Sequence, residues 1–155
     1  MSTTRRGFTL LELILVIALM GIITAFAVPR VRTGTDRANL SAARDHITVN
    51  MSSARRLALS RSALTRVELV GDSILRVRMQ LPSGWQQIMP DVNVKATYRS
   101  TMLLDNTAGG AIEFDKRGLL RGNGASRKFL ITNIDGGRDS VCVTGAGLVM
   151  RKTCR

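Results

Sequence analysis

The chain has 155 residues, and its 23 basic and 11 acidic residues give a formal net charge of +12 at pH 7. This length suffices for one compact domain beside a terminal helix and is too short for two comfortable ones. The basic excess favours a polyanion or an acidic protein as partner. Two cysteines and one histidine leave too few ligands for a typical zinc site, so no metal or other cofactor is expected.

The N-terminus carries a nearly unbroken apolar run from Phe8 to Val28, directly after Arg5-Arg6-Gly7. As a helix, this run is long enough to cross a hydrocarbon core of roughly 30 Å. One acidic residue, Glu12, interrupts it. A carboxylate at such a position costs roughly 2.5–3.5 kcal/mol on insertion scales, which marks Glu12 as a functional residue that needs a cationic partner.

Three simpler interpretations of this run remain open: a secretory signal peptide, an ordinary membrane anchor and a helix of a bundle. A secretory signal needs a small-residue cleavage site after its apolar core. The stretch Ala25-Phe26-Ala27 offers only a mediocre site, because Val28 and then Pro29 follow it.

After the apolar run, Pro29 and the nearby Gly34 predict a kink or a loosened stretch of helix. The helix then resumes to about residue 63 with a narrow apolar stripe that should pack on the rest of the domain. Its members are Leu40, Ala43, Ile47, Met51, Ala54 and Ala58. Beside this stripe, Arg37, Arg44, Arg55 and Arg66 would form a basic rail, although a solvated helix face is the commoner meaning of such a pattern.

From Leu64 onward the apolar period changes to two, which predicts an antiparallel sheet domain. A hairpin should join Thr65–Val70 to Leu75–Leu81, and Val92–Tyr98 should form a further strand. A strand over 111–114 should lead into a turn over 115–118, and a second hairpin should pair 129–134 with 141–143. The stretch 103–110 is interpreted as a loop.

The C-terminal segment contains both cysteines, Cys142 and Cys154. Outside the cytoplasm they should form a disulfide that closes a loop of about 13 residues and stabilises the last strand by about 3 kcal/mol. Four cations should gather near it and contact phosphates, namely Arg138, Arg151, Lys152 and Arg155. No catalytic group is expected, because His46 has no nucleophile pattern near it and the glycine groups Gly122-Asn123-Gly124 and Gly145-Ala146-Gly147 are typical of turns.

The sequence Arg5-Arg6-Gly7-Phe8-Thr9-Leu10-Leu11-Glu12-Leu13 resembles the leader and N-terminus of type IV pilins and type II secretion pseudopilins. In that family a prepilin peptidase cuts after the glycine, here Gly7, and the new N-terminus, here Phe8, is N-methylated. The glutamate at the position of Glu12 pairs with the amino group of a neighbouring subunit during assembly. The resemblance therefore supplies the cationic partner that Glu12 needs.

The resemblance also implies the architecture and location. The expected fold is α+β and pilin-like, with a long N-terminal helix packed on a small antiparallel β-sheet domain. Residues 1–7 would be the cleaved leader, 8–29 the transmembrane and assembly helix, 30–63 the amphipathic helix, and 64–155 the β domain. The chain would cross the inner membrane once and place its ectodomain in the periplasm, because the leader faces the cytoplasm.

Beyond the N-terminus, the chain resembles the H-type minor pseudopilin and FimT-like minor pilin group, through 54–62, 112–118 and the C-terminal hairpin. This implies a low-abundance, non-catalytic subunit that helps prime filament assembly in a type II secretion system or a type IV pilus. The alternative is a minor pilin that binds double-stranded DNA for natural transformation. DNA-binding members have arginines at alternate positions after a glycine, whereas here Gly147 is followed by Leu148, Val149 and Met150. A third possibility is that the charge complements an acidic partner subunit.

Overall fold

The computed structural model describes residues 8–105, 110–122 and 124–151, and within them the side chains of 26–33 are not described. The chain divides into two compact units, 1–35 and 36–155. The described part of the first unit is helical from Leu10 onward. The described part of the second unit contains the rest of that helix, a short second helix and nine strands.

In the described part of the chain, one long helix precedes all of the strands, and a short second helix lies between the fourth and fifth strands. Their bounds are α1 Leu10–Arg61, β1 Thr65–Val70, β2 Ile74–Leu81, β3 Gly84–Gln87, β4 Val92–Asn93, α2 Val94–Tyr98, β5 Ser100–Asp105, β6 Ala111–Phe114, β7 Arg127–Asn133, β8 Arg138–Val143 and β9 Val149–Arg151. The predicted α+β architecture of a long helix on an antiparallel β domain is therefore confirmed.

Helix α1 is continuous in its backbone assignment through Pro29. The predicted kink at that residue stays a prediction. The predicted apolar stripe is confirmed, since Ala43, Ile47, Met51 and Ala58 are all fully buried. Truncating a buried side chain of the size of Ile47 or Met51 to alanine typically costs about 2–5 kcal/mol, so this stripe contributes strongly to the core.

The strands form two antiparallel sheets. In the first sheet the order is β3-β2-β1-β6, and β4 also pairs with β2. In the second sheet the order is β5-β7-β8-β9. The first predicted hairpin is confirmed, with Val70 opposite Ile74 and Gly71 in its turn at φ +67°. The second is confirmed with Phe129 opposite Val141.

Two predictions for the middle of the chain are wrong. Residues 92–98 were expected as one strand, but only Val92–Asn93 is extended and Val94–Tyr98 is α2. The cause is local, because the Asn93 side chain accepts a hydrogen bond from the Ala96 N–H at 2.9 Å and caps the helix. The loop expected over 103–110 is wrong for residues 103–105, which belong to strand β5, whereas residues 106–109 lie outside the described residues.

Candidate functional site

Glu12 lies in the first turn of α1, where a negative charge is stabilised by the helix itself, without a partner subunit. Thr9 precedes the helix, and its Oγ1 accepts a hydrogen bond from the Glu12 N–H at 3.2 Å. This is half of a capping box, in which a threonine is followed three residues later by a glutamate. A carboxylate in the first turn also interacts favourably with the positive end of the helix dipole. Glu12 is exposed, so its carboxylate is accessible to a partner. Gly7 lies outside the described residues.

Large apolar side chains surround Glu12 and are exposed along the first helical unit. Phe8 is 79% exposed, Leu11 75% and Ile23 65%. Among the residues whose side chains are described, no helix is both long and apolar enough to cross a membrane. The predicted span from Phe8 to Val28 runs into residues whose side chains are not described. The exposed apolar surface needs lipid or other helices to cover it.

In the second unit, Arg44 connects α1 to the second sheet. Its Nη1 donates to Asp139 Oδ2 in β8 at 3.0 Å, and both side chains are only 13% exposed. The same guanidinium donates to Asp45 at 3.1 Å and to Ser41 at 2.9 Å. Arg44 therefore stabilises the packing of helix and sheet, and it is not available to a ligand.

Arg55 binds two loops to α1 by contacts to backbone oxygens. Its Nε donates to the Gly118 carbonyl at 2.9 Å, and its Nη2 donates to the Ala146 carbonyl at 3.3 Å. These two carbonyls belong to the β6–β7 connection and to the β8–β9 turn. Arg55 thus fixes the positions of two segments that are far apart in sequence.

The predicted basic rail is wrong. Arg44 and Arg55 point into contacts with their own fold, as described above, and Arg66 lies in β1 rather than on the helix. There it pairs with Glu113 and stacks over Trp85 with its Cζ 4.4 Å from the ring centroid. Of the four arginines, only Arg37 is exposed.

The C-terminal cations are only partly described. Arg138 is exposed at the start of β8, and Arg151 is exposed in β9 opposite Val141. Arg151 also makes an ion pair with Asp45 at 3.5 Å, which reduces its free charge. Lys152 and Arg155 lie outside the described residues. The predicted phosphate contacts of these four cations stay a prediction.

Cys142 occupies a fully buried position in β8. Its predicted disulfide partner, Cys154, lies outside the described residues. Among the described residues there is no free cysteine. The pairing of the two residues therefore stays a prediction.

Many of the remaining arginines are neutralised by carboxylates on the surface of the first sheet. Arg76 donates to both carboxylate oxygens of Asp91, from Nε to Oδ1 at 3.0 Å and from Nη2 to Oδ2 at 2.6 Å. These hydrogen bonds hold the pKa of Asp91 below its ordinary value, because they favour its charged form. Arg121 shares Glu113 with Arg66. The net charge of the chain thus overstates the charge that this face offers to a ligand.

The remaining candidates for chemistry have structural roles. His46 Nδ1 hydrogen bonds to the Tyr98 hydroxyl at 2.8 Å and connects α1 to α2. Gly145 and Ala146 form the β8–β9 turn, as predicted. Within the described residues, no group of three or more His, Cys, Asp or Glu side chains is placed to hold a metal ion.

Sequence reasoning missed two of these features. The capping box was visible as Thr9 followed by Glu12, although we considered Glu12 only for its charge. The contacts of Arg55 gave no sequence signal, because backbone carbonyls of distant loops accept them.

Comparison with known proteins supports the two parts of the chain separately. Residues 2–28 match the family model described as the prokaryotic N-terminal methylation motif. The structure is similar to the type IV minor pilin FimU of Pseudomonas aeruginosa, at 20% identity and a TM-score of 0.59, over 77% of this chain and 92% of that one. It is also similar to the minor pseudopilin EpsH of the Vibrio cholerae type II secretion system, at 10% identity and a TM-score of 0.59, over 73% and 95%.

At identities of 20% or less, the structural likeness establishes only the fold. The methylation motif is the separate observation that concerns the N-terminus. A second crystal structure of EpsH gives the same result, at 8% identity and a TM-score of 0.60, over 76% of this chain and 96% of that one. No curated protein sequence matches the chain. The methylation motif and the fold that the resemblance implied are both confirmed.

Proposed function

We propose that this chain is a member of the type IV pilin and type II secretion pseudopilin family, a minor subunit that helps prime the assembly of a pilus or pseudopilus, as in the H-type and FimT-like group. Such a subunit would be structural and would have no catalytic activity. The family implies an inner-membrane anchor and incorporation into a filament. In this account the ectodomain lies in the periplasm.

Maturation would prepare the N-terminus for assembly. A prepilin peptidase would cut between Gly7 and Phe8, and Phe8 would then be N-methylated. The new ammonium group would meet Glu12 of a neighbouring subunit in an apolar environment. A buried carboxylate is tolerated when it is paired, and an unpaired one is strongly destabilising, so this contact would fix the register between subunits.

The observation that supports this proposal best is the isolation of Glu12. It is exposed in the first turn of a helix whose neighbouring large side chains are apolar and also exposed. The methylation motif covers the same residues. A helix that only anchored the chain would have no need of this carboxylate.

Replacing Glu12 by alanine tests the proposal. We expect Glu12→Ala to insert into the membrane normally but to be depleted from sheared filaments, measured by immunoblot of membrane and filament fractions. Glu12→Gln should behave in the same way, because it keeps the size and loses the charge. Asp105→Ala, which removes an exposed carboxylate of β5, is the control and should assemble normally. Normal incorporation of both Glu12 variants would refute the pairing.

A second candidate function is DNA capture for natural transformation. It is supported by the exposure of Arg138 and Arg151 on neighbouring strands, although the ion pair of Arg151 with Asp45 weakens it. Binding of the protein to duplex DNA across a salt series would test it, with Arg151, Lys152 and Arg155 replaced by alanine in parallel. Binding that survives physiological salt and weakens in the variant would favour DNA capture. Binding that ignores the substitutions would leave the assembly role.

A further inference from the structure

Three exposed leucines lie on three segments of the second unit that approach one another closely. Leu59 of α1 is 45% exposed, Leu119 of the β6–β7 connection 36%, and Leu148 of the β8–β9 turn 51%. We call these three residues the leucine patch. Single exposed leucines are ordinary, but three on adjoining segments form an apolar surface that water covers unfavourably.

The glycines beside these leucines show how closely the segments approach. A Cβ on Gly118 would lie 3.0 Å from Leu59 Cγ, and a Cβ on Gly147 would lie 2.0 Å from the Gly118 carbonyl oxygen. Leu119 and Leu148 directly follow these two glycines. Only glycine permits the backbone of these two loops to approach α1 and each other so closely. The backbone positions of the two loops that present Leu119 and Leu148 are therefore fixed.

Arg55 fixes the same framework from the helix. Its guanidinium binds the Gly118 and Ala146 carbonyls, one in each loop of the leucine patch. Hydrogen bonds from a charged donor are roughly twice as strong as neutral ones. The loops are therefore ordered before any partner binds, which lowers the entropic cost of binding.

Cations surround the leucine patch, and few carboxylates compensate them. Arg56 donates to the Ser53 hydroxyl rather than to an acid, and Lys116 is exposed. Arg117 is 74% exposed and pairs with Asp115. That carboxylate also accepts the backbone N–H groups of its own turn. The edge of the patch therefore has a positive charge that an external acid could neutralise.

An apolar centre with an arginine-rich edge is typical of a protein interface. Nucleic acid fits less well, because a phosphate backbone offers nothing to the three leucines. A second copy of this chain also fits poorly, because it has few unpaired carboxylates to offer to the cations of the patch. Ten carboxylates lie beyond residue 35, all of them in described residues, and at least eight of the ten already make ion pairs within the chain. These are Asp36, Asp45, Glu68, Asp72, Asp91, Glu113, Asp115 and Asp139.

We propose that the leucine patch docks a different filament subunit, through a segment that presents apolar side chains flanked by carboxylates. This inference rests on the proposed role as a filament subunit and names the class of partner that the ectodomain contacts. It differs from the Glu12 contact, which lies in the first helical unit.

Site-specific photocrosslinking in the full chain, expressed in its own cell, tests this inference. Benzoylphenylalanine replaces Leu148 in one strain and, as control, Leu103 in another, since Leu103 is 63% exposed on β5 outside the patch. The adducts in sheared filaments are mapped by mass spectrometry. We expect the probe at 148 to crosslink to an acidic, apolar peptide of another filament subunit, and the probe at 103 to give little of that adduct.

Two further substitutions are made in the strain with the probe at 148. Leu119→Ser and Lys116→Glu should each lower the adduct yield by roughly tenfold, because they remove apolar contact and reverse an edge charge. Lys95→Glu reverses an exposed charge on α2 and should leave the yield within about twofold, as expected for a distant independent site.

The outcomes separate this inference from the proposed function. If the chain is absent from filaments, both fail. If it is present but the probe at 148 gives no more adduct than the probe at 103, only the leucine-patch inference fails. Adducts with nucleic acid, with a second copy of this chain, or with a peptide lacking carboxylates would also overturn it.

Discussion

The ion pair between Arg44 and Asp139 should contribute more to the free energy of unfolding than an exposed ion pair does, because both side chains are mostly buried. Arg44→Met would leave the Asp139 carboxylate 13% exposed without its cation, retaining only the Ser140 N–H at 2.8 Å. Breaking a fully buried pair from one side costs about 3–5 kcal/mol, and breaking an exposed pair about 0.2–1 kcal/mol. Because this pair is mostly buried, we expect a loss of about 2–3 kcal/mol in the free energy of unfolding.

Urea unfolding of the full chain in detergent micelles measures this loss, followed by circular dichroism and by the fluorescence of Trp85, the single tryptophan. Arg44→Met combined with Asp139→Leu should recover most of the loss, because removing both charges leaves no unpaired group. Lys95→Met is the control, since the Lys95–Asp72 pair is 3.7 Å long and its side chains are 63% and 57% exposed. A loss for Arg44→Met no larger than the loss for this control would refute the reasoning.

Three further predictions concern the loops and the C-terminal hairpin. Cys142→Ser should lower the free energy of unfolding by about 3 kcal/mol, and reductant should destabilise the wild type but not this variant. Desolvation raises the pKa of Asp115, but the backbone N–H groups of Leu119 and Arg117 and the Arg117 guanidinium together lower it by more, so the pKa lies below its ordinary 3.8. The wild type should therefore be more stable than Asp115→Asn above pH 3.8, and acid unfolding curves should show this advantage disappear as the pH falls through the lowered pKa. Gly147→Ala should cost about 2 kcal/mol or more in urea unfolding, because φ is +74° and its Cβ would meet the Gly118 carbonyl. Gly71→Ala, at φ +67° with nothing within 4 Å, should cost clearly less.

Local patterns predicted the parts of the fold that local physics determines. The stripe from Ala43 to Ala58 was predicted from the helical period, and all five of its members in that range are fully buried. The 65–81 hairpin was equally clear, because strict alternation and a glycine turn fix its register. Residues 92–98 alternate in the same way, but a single capping interaction of Asn93 decided for helix. Alternation over seven residues does not reveal such a cap.

The arginines show what sequence alone leaves undecided. A helical wheel placed Arg44 and Arg55 on one face, but it does not show that the second sheet and two loops pack against that face. Their partners are 95 and 63 residues away in sequence, at Asp139 and Gly118. Formal charge therefore overestimated the cationic surface available for binding. The N-terminal methylation motif could be recognised because its residues are contiguous in the sequence.

Maturation at Gly7 is the central claim, and the intact mass of the chain isolated from its native membrane tests it directly. We expect a chain that begins at Phe8 and carries one methyl group on its N-terminal nitrogen. A chain that retains Met1 to Gly7 in assembled filaments would contradict it. A chain that begins at Val28, cut after Ala27, would instead identify a secretory signal peptide and remove Glu12 from the mature protein.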